Sequence, residues 1–166
     1  GVQGAILQMV THGLTTGAMF LIVGQLYDRT HSREIADYGG LQQRMPRFVA
    51  ILSLFAVASF GLPTTSNFIG EFLILVGVSY ENFIFVALAM GGIVLGAAYM
   101  LWMLQRVAFG QPRTEAASKL TDLNVREMLT VMPLAFAVVA IGVYPGPLLK
   151  AMDSSVTFVV ARLAGF

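Results

Sequence analysis

Gly61-Leu62-Pro63-Thr64-Thr65-Ser66-Asn67-Phe68-Ile69-Gly70-Glu71-Phe72 interrupts an apolar stretch that runs from Phe48 to Tyr80. As one straight helix that stretch would be about 50 Å long at about 1.5 Å per residue. This overshoots a hydrocarbon core about 30 Å thick, and two separate crossings would leave each half at about 15 residues, which is too short. A third geometry fits: one crossing made of two half-helices joined by unwound backbone. Pro63 removes a backbone donor and disfavours helix at Leu62. Ser66 or Asn67 can then cap the second half. The expected pieces are Phe48–Gly61 and Asn67–Ser79, with a non-helical joint near Pro63–Ser66. A plain proline kink is the competing reading, since proline is common in membrane helices.

Composition points to lipid as the solvent. Hydrophobic residues make up 57% of the 166 residues, charged residues 11%, and the mean hydropathy is +0.76. Soluble domains carry about 25% charged residues, and a chain this apolar would expose patches that soluble monomers avoid. The net charge of +1 comes with no basic run, so it says nothing of nucleic acid. Cysteine is absent, which excludes disulfide and thiolate chemistry on this chain. The sequence has no array of ligands at metal-binding spacing and no Gly-rich phosphate loop. The two histidines, His12 and His31, lie in an apolar stretch and in a loop, so no nucleophilic triad is arguable. Gly1 leads at once into an apolar segment, without an initiator Met or signal n-region. It reads as the start of a C-terminal piece of a longer protein.

Further candidate spans are Val2–Leu26, Asn82–Gln105 and Met128–Leu149, with a shorter, mixed tail over 150–166. Charge placement decides the crossing count. Arg29, Arg33, Arg44 and Arg47 crowd the loop after the first span, and Arg106, Arg113, Lys119 and Arg126 crowd the loop before the last. Positive loops prefer the cytoplasm. Both fall on one side only if Phe48–Tyr80 crosses once. The expected fold is an all-α integral membrane bundle in one transmembrane domain, with one discontinuous helix around Gly61 and Pro63, and both termini outside.

Glu71 is the only formally charged residue inside any expected span. A charge at the bilayer centre costs at least about 2.5–3.5 kcal/mol on insertion scales, and such residues often relay protons. Asn67 lies four residues earlier and shares its face. Desolvation and the half-helix dipole act on the carboxyl in opposite senses, which leaves a group able to switch. The competing reading is a permanently neutral or salt-bridged structural glutamate. His12 lies mid-span, and Gln8, Thr11, Thr15 and Thr16 join it in one polar stripe. This reads as a hydrated, proton-bearing face, although polar stripes also glue helices together.

Other features are expected to be structural. Gly91, Gly92 and Gly96 permit close helix packing. Trp102 anchors an interface, and His31 is solvated. Pro133 is a site for a kink, Pro145 and Pro147 mark the end of the last span, and the tail from Asp153 to Phe166 is a short interfacial helix or a frayed end.

Five motifs appear in order: Gln8-Met9-Val10-Thr11-His12-Gly13-Leu14, Tyr27-Asp28-Arg29, Gly39-Gly40-Leu41, Gly61-Leu62-Pro63, and Asn67 to Phe72. Together they resemble the C-terminal third of the subunit M, or chain 4, family of NADH:quinone oxidoreductase, respiratory complex I. The likeness runs from about residue 4 to about residue 150. It implies an antiporter-like, proton-translocating membrane-arm subunit with no cofactor of its own. NADH, FMN, iron–sulfur clusters and quinone belong to partner subunits. The implied partners are other membrane-arm subunits, including sister antiporter-like ones, and lipid. The implied location is the bacterial inner membrane, or the mitochondrial inner or thylakoid membrane for relatives. Glu71 fills the broken-helix position where sister subunits usually carry lysine, and His12 matches the family's central histidine. The remaining relay residues lie upstream of Gly1, so a whole proton path is not expected here.

One departure stands out. Family members commonly carry Gly-Thr-Ser-Gly or Gly-Thr-Gly-Asn after the Leu-Pro, whereas this chain has Thr64-Thr65-Ser66-Asn67. Losing a glycine there restricts the backbone. The alternatives that share this ancestry are a subunit of a multisubunit sodium/proton antiporter, and a subunit of a membrane-bound hydrogenase or of the plastid-type complex.

Overall fold

The structure, a computed structural model, describes residues 1–163; the last three residues of the expected tail lie outside it. The described residues form helices and no strand. They are α1 (Val2–Thr30), α2 (Pro46–Ser59), α3 (Ser66–Ser79), α4 (Phe83–Ala108), the single turn α5 (Glu115–Ser118), α6 (Val125–Val143) and α7 (Gly146–Leu163). Two 3-10 turns, Ile35–Asp37 and Leu41–Gln43, lie in the α1–α2 loop. Three helices, α1, α4 and α6, are long and apolar enough to cross a membrane, while α2 and α3 are each 14 residues. At about 1.5 Å per residue each of the two is about 21 Å long, short of a crossing.

The two short helices are laid in sequence along one long one. Gly4 of α1 sits against Leu73 and Ile74, Gln8 against Gly70, and Thr15 against Asn67. Further along α1, Ala18, Ile22 and Leu26 join Phe48, Leu52 and Phe55 of α2 in the core. Increasing number in α1 thus meets decreasing number through α3 and then α2. Only an end-to-end, antiparallel course of both halves gives that order. α4 returns alongside both halves, and α6 packs on α1 and α3.

The joint is more ordered than a proline kink requires. Gly61 adopts a left-handed conformation, φ 70°. Its N–H donates to Ala58 O at 3.2 Å, and that of Leu62 donates to Val57 O at 3.1 Å. This pair is the Schellman closure of a helix C-terminus. It ends α2 at Ser59, two residues before the expected Gly61, so the joint is Phe60–Thr65. Pro63 then blocks resumption. The expected cap at Ser66 or Asn67 is not made. Thr65 is the N-cap and makes no side-chain cap bond, because its hydroxyl donates backward to Leu62 O at 2.7 Å. Thr64 carries the cost of the missing glycine: its φ is 84°, a genuine outlier for a β-branched residue. α6 makes room for the joint at Gly142, where any Cβ would collide with Thr64 and Thr65 backbone.

The Arg-rich end is knitted by one loop. Arg29 pairs through both guanidinium ends with Glu127, at 2.7 Å each, and also donates to Thr121 O. Asn124 and Glu127 form a capping box at the start of α6. Asp122 accepts from the backbone N–H of Arg47 and Phe48 at 2.9 and 3.1 Å, so a distant loop supplies the cap that Met45 cannot give α2. Both Arg-rich loops therefore lie at one end.

The last expected span is overturned in its bounds. It ends at Val143 rather than Leu149, because Tyr144-Pro145 leaves helical geometry and a separate helix begins at Gly146. Among the described residues the tail belongs to a longer helix: α7 has 18 residues, and Gln3 Nε2 donates to its Leu149 O at 2.9 Å. Pro133 sits inside an unbroken α6.

Two outcomes follow from this arrangement. Cysteines placed at Gln42 and Ser118, in a chain with none of its own, should both react with a membrane-impermeant thiol reagent from the cytoplasmic side alone. Labelling of the two from opposite sides would contradict a single broken crossing. Thr64→Gly should relieve backbone strain of about 1–3 kcal/mol against a chain-entropy cost of about 0.4–1 kcal/mol. The thermal midpoint of the detergent-solubilised protein should rise, and a fall would show that Thr64 is unstrained.

Candidate functional site

Glu71 lies in the second turn of α3, and its side chain folds back onto the joint. A Cβ on Gly61 would fall 2.9 Å from Glu71 Cδ and collide with Oε2. The absent side chain of Gly61 is therefore the carboxyl's seat. From α1, Gln8 Nε2 donates to Glu71 Oε1 at 3.3 Å. Gln8 comes this close because Gly70, one residue before Glu71, has no side chain to hold it off. Among the described residues the only ion pairs are Arg29–Glu127 and Lys119–Glu115, so no cation of this segment neutralises Glu71. The carboxyl is half-buried between the closing end of α2 and the opening end of α3, where helix ends present fixed partial charges.

A cavity of about 340 Å³ lies between α1, α4 and the joint. Glu71, Gln8 and His12 line it together, with Tyr99, Gly92 and Gly96 on the α4 side. It has room for several waters beside polar partners able to hold them. Thr16 Oγ1 lies 3.3 Å from His12 Nε2, one turn further along the same face. His12 and Glu71 come from sequence positions far apart, yet they reach one chamber because α3 runs antiparallel to α1.

The polar stripe of α1 is divided rather than continuous. His12 and Thr16 turn toward the cavity side, while Thr11 and Thr15 are buried in the α1–α3 contact. Thr15 Oγ1 donates to Thr11 O at 2.9 Å and lies 3.3 Å from Asn67 Oδ1. Asn67 thus supports the helix contact and does not touch the carboxyl of Glu71. The stripe divides because a step of about 100° per residue separates neighbouring stripe members by slightly more than a quarter turn. Ser66 Oγ, Asn67 Nδ2 and Gln8 Oε1 are buried without a partner among the described residues.

The glycines of α4 do not do what was expected. A Cβ at Gly91 or Gly92 would meet nothing within 4 Å, and one at Gly96 only the Tyr99 ring. Gly92 and Gly96 open the cavity rather than close a helix contact within this segment. Tyr99, Ser59 and Phe60 are lining residues that carry no sequence signal, since nothing in the pattern aims α4 at the joint.

A family model described as NADH:quinone oxidoreductase/Mrp antiporter, transmembrane, matches residues 1–96, the stretch that contains α1, the joint, Glu71 and the α4 glycines. The chain belongs to this family. Similar proteins include the NADH-ubiquinone oxidoreductase chain 4 of Marchantia polymorpha, 47% identical over 96% of this chain and 32% of that protein. The NADH-quinone oxidoreductase subunit M of Rhodobacter capsulatus is 44% identical over 96% and 31%. The chain therefore spans about a third of the length of the curated relatives it matches. Among solved structures, respiratory complex I from Thermus thermophilus with bound NADH superposes with a TM-score of 0.80 at 33% identity. It covers 90% of this chain and 32% of that one. An archaeal membrane-bound sulfane sulfur reductase superposes at 0.82 with 28% identity over 90% and 25%. This member of the NADH:quinone oxidoreductase/Mrp antiporter family is a multi-pass membrane protein.

The seat of Glu71 is testable apart from any activity. Gly61→Ala should destabilise the protein by about 1–2 kcal/mol from the left-handed backbone alone, with the collision added. Gly17→Ala, at a helical site with nothing within 4 Å, should stabilise by about 0.5–1 kcal/mol. In a double-mutant cycle Glu71→Ala should recover part of the Gly61→Ala loss. Simple additivity would show that the carboxyl does not occupy the glycine's space.

Proposed function

We propose that this chain forms part of a proton-translocating membrane-arm subunit of an NADH:quinone oxidoreductase, and that Glu71 and His12 carry protons through it. The observation that carries this is the shared cavity. A carboxyl without a cation among the described residues and a histidine from another helix line one chamber beside unwound backbone. Broken helices are tolerated at membrane depth where protein or a wet cavity satisfies the freed backbone, and transporters place ion sites there.

In this reading the chain moves protons and not electrons. NADH, FMN, iron–sulfur clusters and quinone belong to partner subunits, together with the redox step, and the absence of cysteine supports that division. The partners are other membrane-arm subunits, sister antiporter-like ones among them, in a bacterial or organellar inner membrane. Gln8 holds the carboxyl through one hydrogen bond and Gly61 gives it space, so the side chain is positioned without being locked by charge. Histidine changes charge in the physiological range, and a carboxyl can pass a proton only by alternating forms. The family description itself names Mrp antiporters, so a sodium/proton antiporter subunit is the second reading. Co-purification with flavin and iron–sulfur subunits supports the first, and with small antiporter subunits alone the second.

A glutamine at this position keeps the shape and most hydrogen bonding but cannot ionise. Glu71→Gln should leave the complex assembled and lower proton pumping and coupled NADH oxidation by about a hundredfold or more, the lower end of acid–base contributions. Glu71→Asp should retain more. Glu71→Lys should retain partial activity, since lysine is neutral when it gives up its proton. Measurement is per assembled complex in vesicles, as pH-gradient formation with quinone-linked NADH oxidation. Wild-type pumping by an assembled Glu71→Gln variant would make Glu71 structural.

A further inference from the structure

The Arg-rich end of α4 carries a second constellation that proton transfer does not use. Trp102, Gln105, Arg106, Phe109, Gly110 and Arg113 line a cleft of about 490 Å³. Arg106 is held over the Trp102 ring, 4.9 Å from its centroid, a cation–π arrangement that fixes the guanidinium. The stem of Arg113 is held too, since a Cβ on Gly39 would sit 3.0 Å from its Cγ. Neither guanidinium makes an ion pair or hydrogen bond among the described residues, and no carboxylate lines the cleft.

The Gly39-Gly40 pair positions the loop that carries Gly110 and Arg113 of the cleft. Gly39 and Gly40 bring the α1–α2 loop against residues 110–113, so closely that a Cβ on either would meet backbone at 2.7 Å. Gly40 N donates to Phe109 O at 3.0 Å, and Gln43 Nε2 to Gly110 O at 3.2 Å. Gly-Gly thus pins the loop Phe109–Arg113 and with it the position of the second arginine.

Location narrows the ligand. The cleft sits where apolar α4 ends in a charged loop, the depth of lipid headgroups, and Trp102 is an interfacial residue type. Below it, Leu95 and Leu88, spaced seven residues apart on the same side of α4 as Trp102, are each more than 60% exposed. We propose that this cleft binds one anionic phospholipid. Arg106 and Arg113 take the phosphate in charge-assisted hydrogen bonds, Trp102 lies against the glycerol region, and an acyl chain runs down the Leu95–Leu88 side. Arginine suits this task because its fork matches phosphate geometry.

The test uses the intact complex in vesicles doped with photoactivatable phosphatidylglycerol or phosphatidylcholine, with crosslinked peptides mapped by mass spectrometry. The phosphatidylglycerol probe should label Trp102–Arg113 in the wild type and the phosphatidylcholine probe should not. Each arginine is worth about a five-fold change in occupancy. Arg113→Gln, in an exposed loop, should lower labelling about that much, and Arg106→Gln with Arg113→Gln by more than tenfold, while Arg113→Lys recovers part of the loss. Millimolar inorganic phosphate should not compete. Equal labelling by both lipids, indifference to Arg113→Gln, displacement by free phosphate, or protein rather than lipid crosslinked at the cleft would each overturn the proposal.

Discussion

Unwound backbone at membrane depth has no water to satisfy it, and the rest of this structure is arranged around that constraint. Each unpaired polar group in hydrocarbon costs several kcal/mol. The Phe60–Thr65 joint meets the demand first within itself: the Schellman pair at Gly61 and Leu62 closes α2, and Thr65 serves Leu62 O through both its N–H and its hydroxyl. Helices then close over it. α6 comes in at Gly142 against Thr64 and Thr65, and α1 lies along both halves. Packing so close needs residues without side chains, which explains why Gly4, Gly70 and Gly142 each stand where a Cβ would collide with a neighbour.

The same constraint produces the candidate site. A glycine in left-handed conformation is needed to close α2, and its missing side chain leaves the space into which Glu71 folds. The helix closure and the seat of the candidate site's carboxyl therefore coincide in one residue. The Gln8–Glu71 bond depends on Gly70 in the same way. On the other side, α4 stays clear of α1 at Gly92 and Gly96, and the resulting chamber admits both His12 and Glu71. The joint's position, and not a special fold, brings a carboxyl and an imidazole to one cavity.

Much of this is legible in the sequence because the signals are local. Pro63 with Gly61 marks the break, the length of the Phe48–Tyr80 stretch rules out a straight helix, and the arginine loops set the direction of each pass. Glu71 and His12 are visible as polar residues in apolar surroundings. What is not legible depends on neighbours distant in sequence. Asp122 caps α2 from a remote loop, Gly142 looks like any helical glycine, and the division of the α1 stripe emerges only once α3 lies on one flank. Gly92 and Gly96 read as packing glycines, and only the position of α4 shows that they open a cavity. A tail helix is among the sequence expectations, but α7 starts earlier, at Gly146, because Pro145 separates it from α6 inside the expected last span. Thr64 is the instructive departure: a missing glycine is visible in sequence, and the structure shows a left-handed backbone at that position, held with strain.

Proton carriage by Glu71, as proposed, requires its carboxyl to change protonation during turnover. Infrared difference spectroscopy of the assembled complex, triggered by NADH with quinone present, reads this directly through the carbonyl stretch of a protonated carboxyl. A band in that region that forms and decays with turnover, and that is missing from an equally assembled Glu71→Gln complex, is the predicted result. A difference spectrum that Glu71→Gln leaves unchanged would contradict it.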